Sequence, residues 1–303
     1  MVNFRYHLVS LIAVFLALAV GVVLGAGPLQ NAIVKGPGAE SEAASLQRTQ
    51  AELADVEELT SQYATFTDAV GGEVLADTLD GHAVAFVLLP GASTEDVDLL
   101  ADALESAGGE VLGRVLLTDD WETTDANSYR ETLAGPVGSH LEGEPKDTSA
   151  VGVLALALVE ALTVDGSEAD LLREMLTDEE TPLVSKTSMP SERVTDLVLV
   201  GPPAAPDADD AQSGGVTDPA RDRAWIALGS ALAQAGGANV AVGEAHQPGQ
   251  FISVLRSGGV RLGTVDQVGT PMAGLNVTAV LASGSDGAFG QGEGASSPVA
   301  PLP

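Results

Sequence analysis

The chain opens on twenty residues without a charge, Leu8 to Gly27 (LVSLIAVFLALAVGVVLGAG), preceded by Arg5, Tyr6 and His7. A helix rises about 1.5 Å per residue, so a run of this length reaches across roughly 30 Å of hydrocarbon. A cleaved secretory signal has a shorter apolar stretch and a small-x-small site at its end. Here the run is longer, and the one such site, Gly25-Ala26-Gly27, is followed at once by Pro28. The pattern predicts an uncleaved anchor over residues 1–27 that meets the lipid bilayer through Leu8 to Gly27. Arg5 and the amino terminus precede the span, and Lys35, Glu40 and Glu42 follow it. That distribution favours a single-pass membrane protein with its amino terminus inside and its large domain extracytoplasmic.

Residues 28–40 carry Pro28, Gly36, Pro37 and Gly38 and read as a linker. From Ser41 to Val70 there is neither glycine nor proline. Leu46, Leu53, Val56, Leu59, Tyr63, Phe66 and Val70 recur at steps mostly of three and four, which gathers them on one face of a helix over 41–72. Glu52, Asp55, Glu57 and Glu58 fall largely on the other face. A second copy in a parallel coiled coil covers such a stripe, making a homodimer through Ser41 to Val70. The alternative is that the stripe folds back onto the chain's own domain. Gly21 and Gly25 add a G-x-x-x-G spacing that lets two spans approach closely.

Beyond this helix the period changes. Residues 83–89 (AVAFVLL) and 194–200 (VTDLVLV) contain apolar runs of strand length, the mark of strands covered on both faces, and 111–117 reads as a further strand. Ser93, three residues before Asp96, resembles a capping box, and Val97, Leu100, Leu104 and Ala107 line the following helix up to Gly108-Gly109. The unit strand–helix–strand is normally parallel. Further helices are predicted over 151–162, 168–176, 221–235 (Trp225, Leu228 and Leu232 inward), 251–256 and 272–282. Strands are predicted over 239–242 and, last, 260–265. The fold class is α/β: an amino-terminal transmembrane helix, a coiled-coil helix, then a mostly parallel sheet with helices on both faces over residues 80–283. Residues 284–303, rich in Gly, Ser and Pro, read as a disordered tail. ESAGGEVLGRV (105–115) and AQAGGANVAVG (233–243) echo one another, through duplication or through convergence on the same loop chemistry.

A net charge of −30 excludes a nucleic-acid backbone as partner and disfavours a domain lying on anionic lipid. The absence of cysteine removes disulfides and thiolate metal ligands. Four histidines, His7, His82, His140 and His246, are scattered with no i+3 or i+4 partner, and Met175, Met189 and Met272 stand far apart. No copper(I) site of the soft-ligand kind is written in the chain, so a cofactor is not expected and copper finds no ligand-like set. Asp207, Asp209 and Asp210 lack the glycine and closing glutamate of a calcium loop. No nucleophile elbow, P-loop or dinucleotide fingerprint occurs. The helix start behind Leu89-Pro90-Gly91-Ala92-Ser93 is expected to be capped rather than to hold an anion. Asn276-Val277-Thr278 is a formal glycosylation sequon inside a predicted helix. No catalytic or cofactor-binding residue is assigned, metal ligands are left unassigned, and the chain is expected not to be an enzyme.

The opening RYHLVSLIAVFLALAVGVVLG (5–25) resembles the start of the actinobacterial copper-transport family MctB, which includes SteB-like envelope proteins. Gly263-Thr264-Val265-Asp266 and Phe289-Gly290 extend the resemblance toward the carboxyl end. It implies an envelope protein of copper homeostasis, described as channel-like in the outer membrane. For SteB-like members it implies a division-site partner that controls a peptidoglycan hydrolase. An envelope or division protein is accordingly an expected partner. A third reading, an anchored α/β enzyme, is permitted by the fold class and carried by no motif. One apolar span encloses no channel, and membrane barrels need strands that alternate apolar and polar.

Overall fold

The structure, a computed structural model, describes residues 37–178, 182–185, 189–190, 192–204 and 218–303. The anchor predicted at Leu8 to Gly27, His7 and the acidic loop Asp207–Asp210 lie outside the described residues. Among the described residues no helix is long and apolar enough to cross a membrane. The chain divides into two compact units, Met1–Tyr63 and Ala64–Pro303.

Helix α1 spans Pro37–Val74 and overruns both expected ends, 41 and 72. Pro37 opens the helix, where its missing N–H is not needed by the hydrogen-bond ladder and its fixed φ suits the first turn. At the other end Gly71 and Gly72 are carried inside the helix, and a series of turns follows up to Gly81.

Six strands follow: β1 (Ala83–Leu88), β2 (Glu110–Leu116), β3 (Asp196–Val200), β4 (Val240–Gly243), β5 (Gly263–Asp266) and β6 (Ala288–Phe289). They form one sheet in the order β2-β1-β3-β4-β5-β6, parallel throughout. The helices between them are α2 (Thr94–Ser106), α3 (Asn127–Gly138), α4 (Ala150–Thr163), α5 (Ser167–Leu176), α6 (Pro219–Leu232), α7 (Phe251–Ser257) and α8 (Pro271–Ser283). Three of these, α3, α4 and α5, fill the long connection from β2 to β3.

The continuous apolar strands divide residue by residue between two cores. Ala85, Val87, Leu197, Leu199 and Ala241 face one core with Trp121 and side chains of α4, α5, α6 and α7. Val84, Phe86, Leu88, Val198, Val200, Val240 and Val242 face the other, with α2, α8, Leu75 and Leu79. Successive side chains of a strand point to opposite faces, so only a sheet covered on both sides gives every residue of such a run a place away from water. Ser93 caps α2 by accepting the Asp96 N–H at 3.2 Å.

The two AGG turns differ in detail. The left-handed glycine is the first of the pair at Gly108 (φ +88°) and the second at Gly237 (φ +85°). Their similarity is one of residue type and not of backbone path.

Residues 284–303 are a correction. In place of the disordered tail, and beyond the strand expected to be last, they add β6 to the sheet edge and bury Phe289 and Ala300. Low side-chain bulk is what permits this path: Gly290 has φ +124°, and a Cβ there would collide with the Asp266 carboxylate. The tail's backbone finds fixed partners, with Thr264 N–H donating to Gly287 C=O and Gly290 N–H to Ser297 C=O. Buried Asn276 donates to Pro298 C=O at 3.1 Å and accepts from Ala300 N–H at 2.8 Å. The Asn276-Val277-Thr278 sequon is thus inside the protein, its amide already committed.

Candidate functional site

In an open parallel sheet, ligands bind outside the carboxyl ends of the strands near the point where strand order reverses. That point lies between β1 and β3. There the turn at Gly91 (φ +80°) meets Pro202: a Cβ added to the glycine would lie 3.6 Å from the Pro202 ring. The ionisable groups cluster one step along, past β4 and β5.

Glu244 follows β4 directly and is nearly buried, and its Oε2 lies 2.9 Å from Nδ1 of the half-exposed His246. Burial raises the Glu244 carboxyl above the ordinary carboxylate range; the His246 hydrogen bond opposes the rise, and Asp266 and Asp96 add to it. Asp96, in the first turn of α2, is itself raised by burial, with the Ser93 hydrogen bond opposing. The α2 amino terminus therefore carries its own cap, Ser93, and its own acids, Glu95 and Asp96.

A group whose pKa is higher folded than unfolded binds its proton more tightly in the folded state, so stability falls as pH rises through the window between the two values. For Glu244 that window opens near 4.5 and runs upward. Glu244→Gln keeps the shape without the charge. Its urea-unfolding free energy, measured at a series of pH values, is expected to decline less across this window than that of the wild type; parallel curves would count against the burial account.

The buried ionic centre of the domain is Asp266 at the end of β5. Its side chain is fully buried and pairs with Arg256 Nη1 at 2.9 Å, the guanidinium being 8% exposed. Asp266 also accepts the N–H groups of Gln291 (2.8 Å) and Gly292 (3.0 Å). Arg256 donates to the carbonyls of Phe289 (3.0 Å) and Glu293 (2.8 Å) and to Thr264 Oγ1 at 3.1 Å. The segments Gly263–Asp266 and Phe289-Gly290, far apart in the chain, converge in this latch. It fastens the carboxyl-terminal segment to the sheet, and every charge in it is spent internally.

Each histidine that the structure describes has one carboxylate. His82 Nδ1 is 2.8 Å from the buried Asp196, at the amino-terminal edge of the sheet; His140 Nδ1 is 2.7 Å from Glu168; His246 faces Glu244. Asp196 also accepts Ala238 N–H at 2.6 Å and the Thr195 hydroxyl at 2.5 Å. Among the described residues no group of three or more His, Asp or Glu side chains is placed to hold a metal ion. Met175 and Met189 pack against the first core, and Met272 lies in the first turn of α8.

On α1 the apolar stripe is in the open. Leu46, Leu53, Val56, Leu59, Tyr63, Phe66 and Val70 are 39–70% exposed. Leu46, Thr49, Leu53, Val56, Thr60, Tyr63, Thr67, Val70 and Val74 alternate steps of four and three along the helix, the repeat of a two-helix seam interrupted by three threonines.

These features define a class: a doubly wound parallel α/β protein with a long amino-terminal helix whose apolar face is exposed. Residues 1–300 match the family described as "Copper transport outer membrane protein, MctB", and the chain belongs to that family. It is 31% identical over 183 residues to the copper transporter MctB of Mycobacterium bovis and of Mycobacterium tuberculosis, covering 56% of this chain and 58% of theirs. With the copper transporter MctB of Mycobacterium leprae it shares 34% identity over 143 residues, 46% of this chain and 44% of that one. The matched part thus spans less than two thirds of these relatives. Gly263–Asp266 and Phe289-Gly290 both belong to the latch; its burial was not visible as chemistry in the sequence, although an isolated Asp ending an apolar strand, with a Phe-Gly pair downstream, was its signal.

Proposed function

We propose that this protein is a non-catalytic component of copper transport in the cell envelope, anchored by one span at Leu8 to Gly27 and working as a homodimer through Ser41 to Val70. The observation that carries the reading is the uncovered stripe of α1, whose exposed Leu46, Leu53, Val56, Tyr63, Val70 and Val74 fall at coiled-coil spacing with three threonines among them. Apolar surface of this extent is unfavourable in water and is relieved by a matching helix. Two copies anchored in one membrane leave it in the same direction, which makes the pairing parallel. Family membership and the relatives' names support the copper role. The three described histidines, His82, His140 and His246, each engaged by a separate carboxylate, favour a part in assembly or partner binding over direct carriage of the ion.

The chain has no cysteine, so a single introduced thiol reports on pairing without background. Leu53→Cys in the full-length protein in membranes is expected to give a covalent dimer on mild oxidation, and Asp55→Cys, on the opposite face, is not. Leu53→Asp is expected to abolish the dimer together with any copper tolerance that the wild-type chain confers on cells producing it. Equal cross-linking at both positions sinks the dimer; tolerance untouched by Leu53→Asp sinks its link to copper.

A further inference from the structure

A cleft of about 230 Å³ lies between the end of α1, α2 and α8. Gly71, Gly72, Leu75, Leu99 and Leu275 line it, all within the unit Ala64–Pro303. Asp102 is the one charged side chain of the lining, in a chain with 43 acidic residues. Leu99 is 48% exposed there, whereas Val97, Leu100 and Leu104 of the same helix are buried. An apolar cavity of about 150 Å³ is enough to hold benzene, so the cleft has room for a phenyl ring. Glycine inside a helix is unfavourable relative to alanine, and α1 carries two beside this cleft. A Cβ at Gly71 would press on Leu275 Cδ1 at 3.3 Å, and one at Gly72 would stand in open space.

The heptad pattern of α1 points to what fills the cleft. With Leu46 at position a, the residues Thr49, Val56, Tyr63 and Val70 fall at d, and Leu59 and Phe66 fall at g. Leu59 and Phe66 are large, apolar and exposed, Phe66 at 65%, although they lie outside the a/d seam. In a parallel pair each g side chain lies beside the partner's e side chain of the next heptad. The e positions concerned are Ala64 and Gly71, so each large side chain meets a small one. Phe66 therefore arrives beside the partner's Gly71, at the wall of the cleft. The cleft is continuous with the seam, because Thr67, an a position, lines it as well. A stable interface buries about 800 Å² on each side. A seam with threonine at Thr49, Thr60 and Thr67, flanked by Glu52 beside the partner's Glu57, supplies little apolar area toward that. The ring and the cleft add to it.

We infer that the cleft between α1, α2 and α8 receives the Phe66 ring of a second copy of this chain, with two such contacts in each dimer. This rests on the reading of α1 as a parallel dimer helix. It brings the α/β domain into the interface and fixes how the two domains are set about their shared axis.

Sedimentation equilibrium of the full-length protein in detergent micelles measures the association. Phe66→Ala is expected to weaken it by about a hundredfold or more, since two rings per dimer return to water. Leu99→Asp, which places a charge in the cleft, is expected to weaken it by at least about tenfold. Neither residue belongs to a core of the single chain, so neither change removes an intrachain core contact. Leu116→Asp, at an exposed apolar residue on β2, is expected to leave association unchanged. Phe66→Cys and Leu99→Cys on separately tagged copies are expected to be joined by a short bismaleimide only when both are present. If Leu53→Cys still cross-links while either Phe66→Ala or Leu99→Asp changes association less than about twofold, the docking is overturned and the dimer stands. Absence of the Phe66→Cys to Leu99→Cys product overturns the docking in the same way. Loss of Leu53→Cys cross-linking in the otherwise unaltered chain overturns both.

Discussion

Replacing Asp266 with alanine is expected to destabilise the domain by about 3–5 kcal/mol, the usual result of removing one partner from a buried ion pair. The carboxylate is fully buried, and its loss leaves the Arg256 guanidinium, 8% exposed, with no charge opposite it. The N–H groups of Gln291 and Gly292 lose their acceptor at the same time. Folded domains are stable by only about 5–15 kcal/mol, so the effect is a large fraction of the whole. Urea unfolding measures it, and amide exchange locates it: the segment around β6 should lose protection before the inner strands do. A cost below about 1 kcal/mol, or unchanged protection around Phe289, would show that the latch contributes little. Gly290→Ala should produce the same local loosening, since its Cβ points into the Asp266 carboxylate from a backbone at φ +124°.

Phe251→Ala is expected to cost about 3–5 kcal/mol by leaving a cavity in the first core. Phe251 is 1% exposed and is the first residue of α7. Its ring stands edge-on to Trp225, with centroids 5.4 Å apart and planes at 85°. It fits over two glycines that end β3 and β4, where a Cβ would lie 2.7 Å from the ring Cγ at Gly201 and 2.8 Å from Cδ1 at Gly243. Those glycines let a short helix press an aromatic ring onto the carboxyl edge of the sheet. The measurement is again equilibrium unfolding, with the expectation that Gly243→Ala destabilises less and couples with Phe251→Ala in a double-mutant cycle. Additive effects would mean that the ring and the glycine do not share a contact.

Much of the fold was legible because hydrophobic periodicity reports local geometry directly. The runs at 83–89 and 194–200 have the length of strands and no polar alternation, which only a sheet covered on both faces explains, and β1 and β3 are such strands. Ser93 marked a helix start through a bond to Asp96 that spans three residues. Errors gathered where composition stood in for geometry. Residues 284–303 have the Gly, Ser and Pro content of a disordered tail, yet they are fastened by Asp266, Arg256 and Asn276, which approach from 22–37 positions away in sequence. The linker assigned up to residue 40 overlapped a helix because Pro37 is harmless in a first turn.

The candidate site was far less visible. Asp266 and the groups it holds together lie ten to thirty-seven residues apart and carry no motif. The pairing of His246 with Glu244 is two residues apart in sequence, but the raised carboxyl of Glu244 comes from burial beyond β4. The sequence by itself determined strands β1 to β5, the helices other than α3, the both-sided burial of the sheet and the apolar stripe of α1, because these depend on residue spacing along one element; α3 and β6 it missed. The tertiary structure decided the strand order, the Asp266 latch and the attachment of the carboxyl-terminal segment. These depend on which distant backbone groups and charges share one low-dielectric space, and no local pattern encodes that.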